Sequence, residues 1–358
     1  MTKLLAMRVL PDDGRNVDGD YDHTKANAIN TCPVWGLVRY EKHKVMRKGA
    51  RQLPLEAGKA AHDGFATVRL LQLGIKQDKP KLMMHHGVRI FGADKWDRIL
   101  NVMRTDRTFE NNVTNAAMQA VIESGYYDDP MDRRRTVDNI CELMMNYVRE
   151  WDFDRWPVWI RDENDPTSDV GIEIPFSFIV ELDYETPEMR RGTYTIRYTG
   201  KIDGIHRDPK QDNCVITHEN KTGSRIDDAW LSQWIMSHQI TGYAIACSVF
   251  TGSVCYEALA LGSQLPVPKS ASDGQRNALV KRTPQKIQDW ALWLLHVHEV
   301  ASTYRHAPLE APRYTHACNR YFRPCHFIAL CDNPIEEQHR IYAEMEEEKW
   351  SPLEEETD

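Results

Sequence analysis

The run YTGKIDGIHRDPKQDNCVITHENKTGS, residues 198–224, holds the residue types most able to do chemistry. Asp203 and Glu219 stand toward the ends of two strand-like runs, and Lys221 follows Glu219 two places on. Side chains at i and i+2 share a strand face, so Glu219 and Lys221 point the same way with Asn220 between them. Two carboxylates on adjacent antiparallel strands can meet at one point across the intervening chain. A hard divalent cation, Mg2+ or Mn2+, takes such oxygens together with water and a substrate phosphate. The backbone carbonyl of Asn220 is a further candidate ligand. Lys221 would then lie beside the attacking water and could offset charge on a pentavalent phosphorus. The same residues also suit a solvated hairpin with ordinary surface charge, and the spacing alone leaves both readings open.

Two more groups extend the set. In SHQITGYA, Gln239 and Tyr243 stand at i and i+4, which places them on one helix face directly after the Glu219 strand. In EAGKAAHDGF, Gly58 precedes His62 by the same helical step.

The elements that must position these residues follow from periodicity. Residues 1–25 are polar and read as an irregular segment. Residues 26–165 read as helical: TCPVWGLVRYEKH, LPLEAGKAAHDGFATVRLLQLG and TVDNICELMMNYVREW carry apolar residues at helical spacing. Residues 166–306 change period. GIEIPFSFIVELDY and GTYTIRYTGKIDGI alternate apolar and polar residues, and NCVITHENK begins as a short strand. The helical DAWLSQWIMSHQITGYAIACSVF, the strand SVCYEALALG and the Trp-rich helix TPQKIQDWALWLLHVHEVASTYRH complete this core. A cysteine-bearing segment spans 307–335, and 336–358 is an acidic tail expected to fray. The fold class is α/β (α+β in its segregation): a central mixed sheet flanked by helices.

The 358 residues carry a net charge of −8, which does not advertise a polyanion binder but leaves room for a local basic groove. No apolar run approaches the ~20 residues that span a bilayer, so the expectation is a cytoplasmic protein without a membrane partner. Eight cysteines in such a compartment are not expected as disulfides. Cys318, Cys325 and Cys331 cluster near the C-terminus and Cys32 stands far upstream; Cys141, Cys214, Cys247 and Cys255 sit in apolar patterns and read as core.

GKIDGI followed by HENK, with Gln239, Tyr243, Gly58 and His62 in order along the chain, resembles the PD-(D/E)XK nuclease superfamily, in its RecB/AddB-like branch. The resemblance covers roughly 26–65 and 170–331. It implies a restriction-endonuclease-like core and a metal-dependent DNA exonuclease. In that reading Asp203, Glu219 and Lys221 are catalytic, Gln239 and Tyr243 are the Q-x-x-x-Y pair, and His62 is a further metal ligand. CPVWGLVRY and FRPCHFIALC are similar to the cysteine segments of that branch's iron–sulfur nucleases, which include the CRISPR-adaptation family and many phage exonucleases. This implies a 4Fe–4S cluster on Cys32, Cys318, Cys325 and Cys331, stapling the N-terminal helix to the C-terminal segment. Zinc, with His316 or His326 in place of one thiolate, is the alternative metal. The implied partner is single-stranded DNA or DNA ends, in recombination, repair, phage DNA processing or CRISPR adaptation, inside a bacterial or phage-infected cell. A zinc-stapled DNA-end-binding protein without nuclease activity is the competing function. Residues 75–165 read as a helical insertion. Its DPMDRRRTVDN cluster and aromatics suit either a solvated face or a wall of a DNA channel.

Overall fold

The computed structural model describes residues 2–46, 53–212, 214–223, 226–255, 257–264, 275–320 and 323–349. The chain opens with β1 (Lys3–Pro11), β2 (Gly19–Tyr21), α1 (His23–Thr31), α2 (Pro33–Gly36) and the short β3 (Lys44–Val45). A helical stretch follows: α3 (Leu53–Leu71), α4 (Pro80–Phe91), α5 (Ala93–Leu100), α6 (Phe109–Ile122) and α7 (Val137–Glu150). Next come β4 (Ile172–Glu185), β5 (Arg191–Asp208), β6 (Cys214–Gly223), α8 (Asp228–Gln233), α9 (His238–Thr251), β7 (Glu257–Gln264), β8 (Gln275–Lys281) and α10 (Pro284–Tyr304). Seven strands form one mixed sheet in the order β1-β4-β5-β6-β7-β8, with β2 beside β5, and helices flank it. The protein is α/β. Among the described residues no helix is long and apolar enough to cross a membrane.

The chain divides into two compact units. One comprises residues 1–51, 176–200 and 284–358; the other comprises 52–175 and 201–283. In the first, β1 pairs antiparallel with β4 from Lys3↔Glu185 to Pro11↔Phe178. This corrects the irregular segment expected at 1–25. Arg8, the one charge inside the apolar run of β1, pairs with Glu181 and Asp183, and the run forms an edge strand. The helix expected over TCPVWGLVRYEKH is α2 followed by a wider π turn over Leu37–Glu41. At Gly36 a Cβ would stand 2.4 Å from the Ile29 backbone nitrogen, so only glycine lets α2 approach α1 this closely. The acidic tail does not fray at its start: Glu346–Glu347 pairs with β3. Residues 350–358 of that tail lie outside the described residues.

The second unit holds the larger core. Ala57, Ala60, Ala61, Phe65 and Val68 recur at helical spacing on α3 and are buried, as are Val113 and Ala117 of α6 and Met144 and Tyr147 of α7. Thr108 and Thr136 cap α6 and α7, each hydroxyl accepting from the N–H three residues on. Behind these helices β5 and β6 pair antiparallel, β6 and β7 pair parallel, and β7 and β8 pair antiparallel. The strand β8 has no counterpart in the periodicity reading.

Phe65 is 1% exposed and its ring lies 4.5 Å from that of Tyr147. Truncating it opens a cavity between α3 and α7. Phe65→Ala should cost about 3–5 kcal/mol in denaturant titrations monitored by circular dichroism.

Candidate metal centre

The centre is built on α3, the start of β4, and the facing parts of β5 and β6. The ladder between β5 and β6 runs from Asp208↔Cys214 to Gly204↔His218. Just beyond it the Asn220 N–H donates to Asp203 Oδ2 at 2.7 Å. A side chain thus takes the donor that a ladder carbonyl would otherwise take, and Asp203 is fixed against the backbone of the Glu219–Lys221 segment. Burial pushes the Asp203 carboxyl above its ordinary value, with Glu173 adding to the rise against His62 and Lys221.

His62 on α3 reaches the same point. Its Nδ1 lies 3.4 Å from Asp203 Oδ1 and 3.9 Å from Glu173 Oε1. His62, Glu173 and Asp203 each offer one ligand atom, and the three atoms lie within 4.8 Å of one another. Burial works against the imidazolium, but Asp203 and Glu173 outweigh it and push His62 up to about 9. Gly58, one turn earlier, faces open space: a Cβ there would meet nothing within 4 Å.

Glu173 is the member that periodicity did not single out. Strand alternation treats it as an outward residue between Ile172 and Ile174. Its φ of 47° breaks that alternation and turns the carboxylate inward. A non-glycine residue there costs on the order of 1–3 kcal/mol and persists where its surroundings hold it. Here Lys201 Nζ holds Glu173 Oε2 at 2.7 Å. Burial opposes the Glu173 carboxylate, yet Lys201 and His62 hold it below the ordinary range. The available signal was one acid between Gly171 and Pro175 in an otherwise apolar strand start.

Glu219 stands beside this group with a different set of partners. Its Oε1 accepts from Lys221 Nζ and, at 2.9 Å, from Gln239 Nε2. Gln239 Nε2 also donates to the Tyr243 hydroxyl at 3.1 Å, so the i, i+4 pair on α9 meets as its spacing requires. The N-terminal turn of α9 is set by Ser237, which caps it through the Ile240 N–H. Glu219 Oε2 is buried without a hydrogen-bond partner among the described residues. Burial first, then Asp203, pushes the Glu219 carboxyl up to about 7 against Lys221. Lys221 is held above its ordinary value because Glu219 and Asp203 outweigh the burial of its ammonium.

A buried polar layer supports the strand. Arg69, two turns beyond His62 on α3, hydrogen-bonds the Tyr147 hydroxyl and lies 3.1 Å from His218 Nδ1. Its guanidinium sits 3.5 Å over the Trp151 ring. Tyr147 Oη is 3.4 Å from Asn220 Oδ1, and His206 Nε2 is 3.0 Å from His218 Nδ1. Burial, reinforced by Arg69, keeps both imidazoles well below their ordinary value.

The cysteines behave as two sets, each within one unit. Cys32, Cys318, Cys325 and Cys331 are unpaired. Burial first, then Cys32 and Cys318, pushes up the Cys325 thiol; burial, Cys32 and Cys325 push up Cys331 against Arg313. The four are therefore electrostatic neighbours. Cys325 N–H donates to the Cys318 carbonyl at 2.8 Å, and Phe327 N–H donates to Cys325 Sγ at 3.5 Å. Among the described residues no three of these sulfurs lie within 4.8 Å of one another. In the other set Cys141, Cys247 and Cys255 are buried, whereas Cys214 is half-buried at the start of β6. In the helical region Arg133 and Arg134 are exposed, and Arg135 pairs with Asp132 at 2.6 Å.

No protein-family profile matches the chain, and no curated protein matches its sequence.

The raised Glu219 carboxyl makes metal-free stability fall with pH. Its folded-state value lies above the unfolded one, so its contribution is complete below about pH 4.5 and is lost as pH rises through about 7. In chelator-treated protein, Glu219→Gln should gain on the parent across that window by up to about 3 kcal/mol, read from denaturation midpoints at pH 4.5 and 8.

Proposed function

We propose that this chain is a metal-dependent DNA exonuclease of the PD-(D/E)XK type, with a restriction-endonuclease-like core, acting on single strands or DNA ends. The observation that carries the reading is the meeting of His62, Glu173 and Asp203 beside the Glu219–Lys221 pair. The order β4-β5-β6-α9-β7, with β6 and β7 parallel, supports the core assignment. A divalent cation, once bound, polarises a phosphate oxygen and lowers the pKa of water. Asp203 and Glu173 would supply hard oxygen ligands and His62 a nitrogen; the orphaned Glu219 Oε2 and the Asn220 carbonyl are the remaining candidates. The donor set fits Mg2+ or Mn2+, with the imidazole favouring Mn2+. Lys221, facing the same way as Glu219, would donate to phosphate oxygens as charge builds on them. Gln239 holds the Glu219 carboxylate and the Tyr243 hydroxyl, and the pair would meet the nucleic acid. The exposed Arg133 and Arg134 would follow the phosphate backbone outside the site.

End-labelled single- and double-stranded DNA incubated with Mg2+ or Mn2+ tests the reading. Asp203→Ala, Glu173→Gln and Glu219→Ala should each remove cleavage, by at least about a hundredfold, with melting temperature retained. Lys221→Ala should lose turnover but keep Mn2+ binding, and His62→Ala should be intermediate and partly restored by more Mn2+. Gln239→Ala and Tyr243→Phe should weaken DNA binding more than turnover. Full cleavage by Asp203→Ala would remove the assignment. Capture of DNA ends without any cleavage would favour an end-binding protein.

The sulfur corner is proposed to hold a 4Fe–4S cluster on Cys32, Cys318, Cys325 and Cys331. The mutual electrostatic influence of these cysteines supports a shared site, and the N–H donated to Cys325 Sγ is the kind of contact that stabilises a bound thiolate. Protein purified without oxygen should be brown with about four irons per chain, and serine at any of the four positions should bleach it. Serine at Cys141 or Cys247 should not. Colourless protein containing zinc would overturn the cluster and keep a metal staple.

A further inference from the structure

We infer that Lys201 is an exchangeable counter-ion, holding the place of the metal at Glu173 and passing to a substrate phosphate when the metal enters. This rests on the metal-centre reading. The two oxygens of Glu173 face different partners: Oε1 lies toward His62 at 3.9 Å, and Oε2 meets Lys201 Nζ at 2.7 Å. The Glu173 carboxylate belongs to the group whose ligand atoms converge within 4.8 Å, so Lys201 sits against a carboxylate that a cation would claim. A cation at that carboxylate and the Lys201 ammonium would repel each other at such range, which weakens the hold of Lys201 on Oε2.

The two lysines of the centre differ in what they hold. Lys221 pairs with Glu219 through Oε1, which leaves Oε2 for a cation, and Glu219 lies outside the converging group. Lys201 pairs with a member of the group and faces the entering cation directly. Its side chain is 45% exposed, against 8% for Glu173, so the ammonium lies at the wet edge of the centre on a flexible four-carbon stem. Leaving Glu173 costs it little, because water is already at hand. Lys201 and Asp203 are two residues apart on β5 and share a strand face. A displaced Lys201 ammonium therefore stays beside Asp203, where a phosphate bridging to the cation would sit.

Mn2+ titrations of the full chain by calorimetry test this on the parent, Lys201→Met and Lys201→Arg, with melting temperatures recorded for each. Affinity for a single-stranded phosphorothioate oligonucleotide is measured at saturating Mn2+. Lys201→Met removes the competitor and should bind Mn2+ about two- to fivefold more tightly, the range set by a partly exposed ion pair. It should bind the oligonucleotide more weakly. Lys201→Arg keeps a charge on Glu173 and should bind Mn2+ no more tightly than the parent. A merely structural lysine would give the opposite sign, because a loosened Glu173 lowers Mn2+ affinity. Equal or weaker Mn2+ binding by Lys201→Met, with a parental melting temperature, overturns the exchange while the metal centre stands. Tighter Mn2+ binding with unchanged oligonucleotide affinity supports the exchange and overturns the phosphate destination. No Mn2+ binding by the parent overturns both this inference and the metal centre.

Discussion

Carboxylates removed from water must be matched by cations, hydrogen-bond donors or protons, and Asp203, Glu173 and Glu219 are all buried close together. The surrounding architecture follows from that requirement. Asp203 receives a backbone N–H from Asn220 and the imidazole of His62. Glu173 receives Lys201, and Glu219 receives Lys221 and Gln239. One atom, Glu219 Oε2, receives nothing among the described residues. The metal-free centre therefore keeps a proton on a carboxyl pushed up to about 7. A divalent cation would relieve this arrangement more completely than lysines and protons do, so the group could hold a metal ion.

The layer beneath obeys the same rule with the sign reversed. Arg69 is buried, and burial pushes it down to about 10. Its positive charge is met by the Trp151 face, the Tyr147 hydroxyl and the His218 ring, and its Nη1 has no hydrogen-bond partner among the described residues. A guanidinium held this way is costly unless it organises something. What it organises is Tyr147, whose hydroxyl reaches the Asn220 side chain, and Asn220 is the residue whose N–H fixes Asp203. The helix that places His62 at the carboxylates thus also places, two turns on, the support for the strand that faces them.

Much of the centre was legible because it obeys simple periods. Glu219 and Lys221 obey the strand period of two, and Gln239 and Tyr243 obey the helical i, i+4 rule, so residue type and spacing sufficed. Glu173 was not legible, since a positive φ turns an apparently outward residue inward, and alternation assumes regular backbone. Arg69 was not legible either: helical patterning assigns a long basic side chain to the solvent face, and only the tertiary arrangement of Tyr147, Trp151 and His218 explains its burial. The edge strand β1 was missed because its short apolar run KLLAMRVLP shows no strict alternation and its partner β4 lies far along the chain. The strands β4, β5 and β6 and the helix α9, each with a buried face, were read close to where they lie.

The two donor sets are sorted by hardness. The carboxylates, with one imidazole, offer oxygen to a hard cation, and the four thiols offer soft sulfur to iron or zinc. Each set lies within one of the two compact units: His62, Glu173 and Asp203 in one, and Cys32, Cys318, Cys325 and Cys331 in the other. Within the sulfur-bearing unit, Cys32 precedes the other three by nearly the full length of the chain. A metal there would close a long loop, and the entropy of loop closure grows with its length. The carboxylate centre is also assembled from distant segments, but its supports are β5 and β6 pairing and the packing of α3 on α7, which exist before any cation arrives. One centre is thus held ready by the fold, whereas a metal at the other would itself contribute to holding the fold.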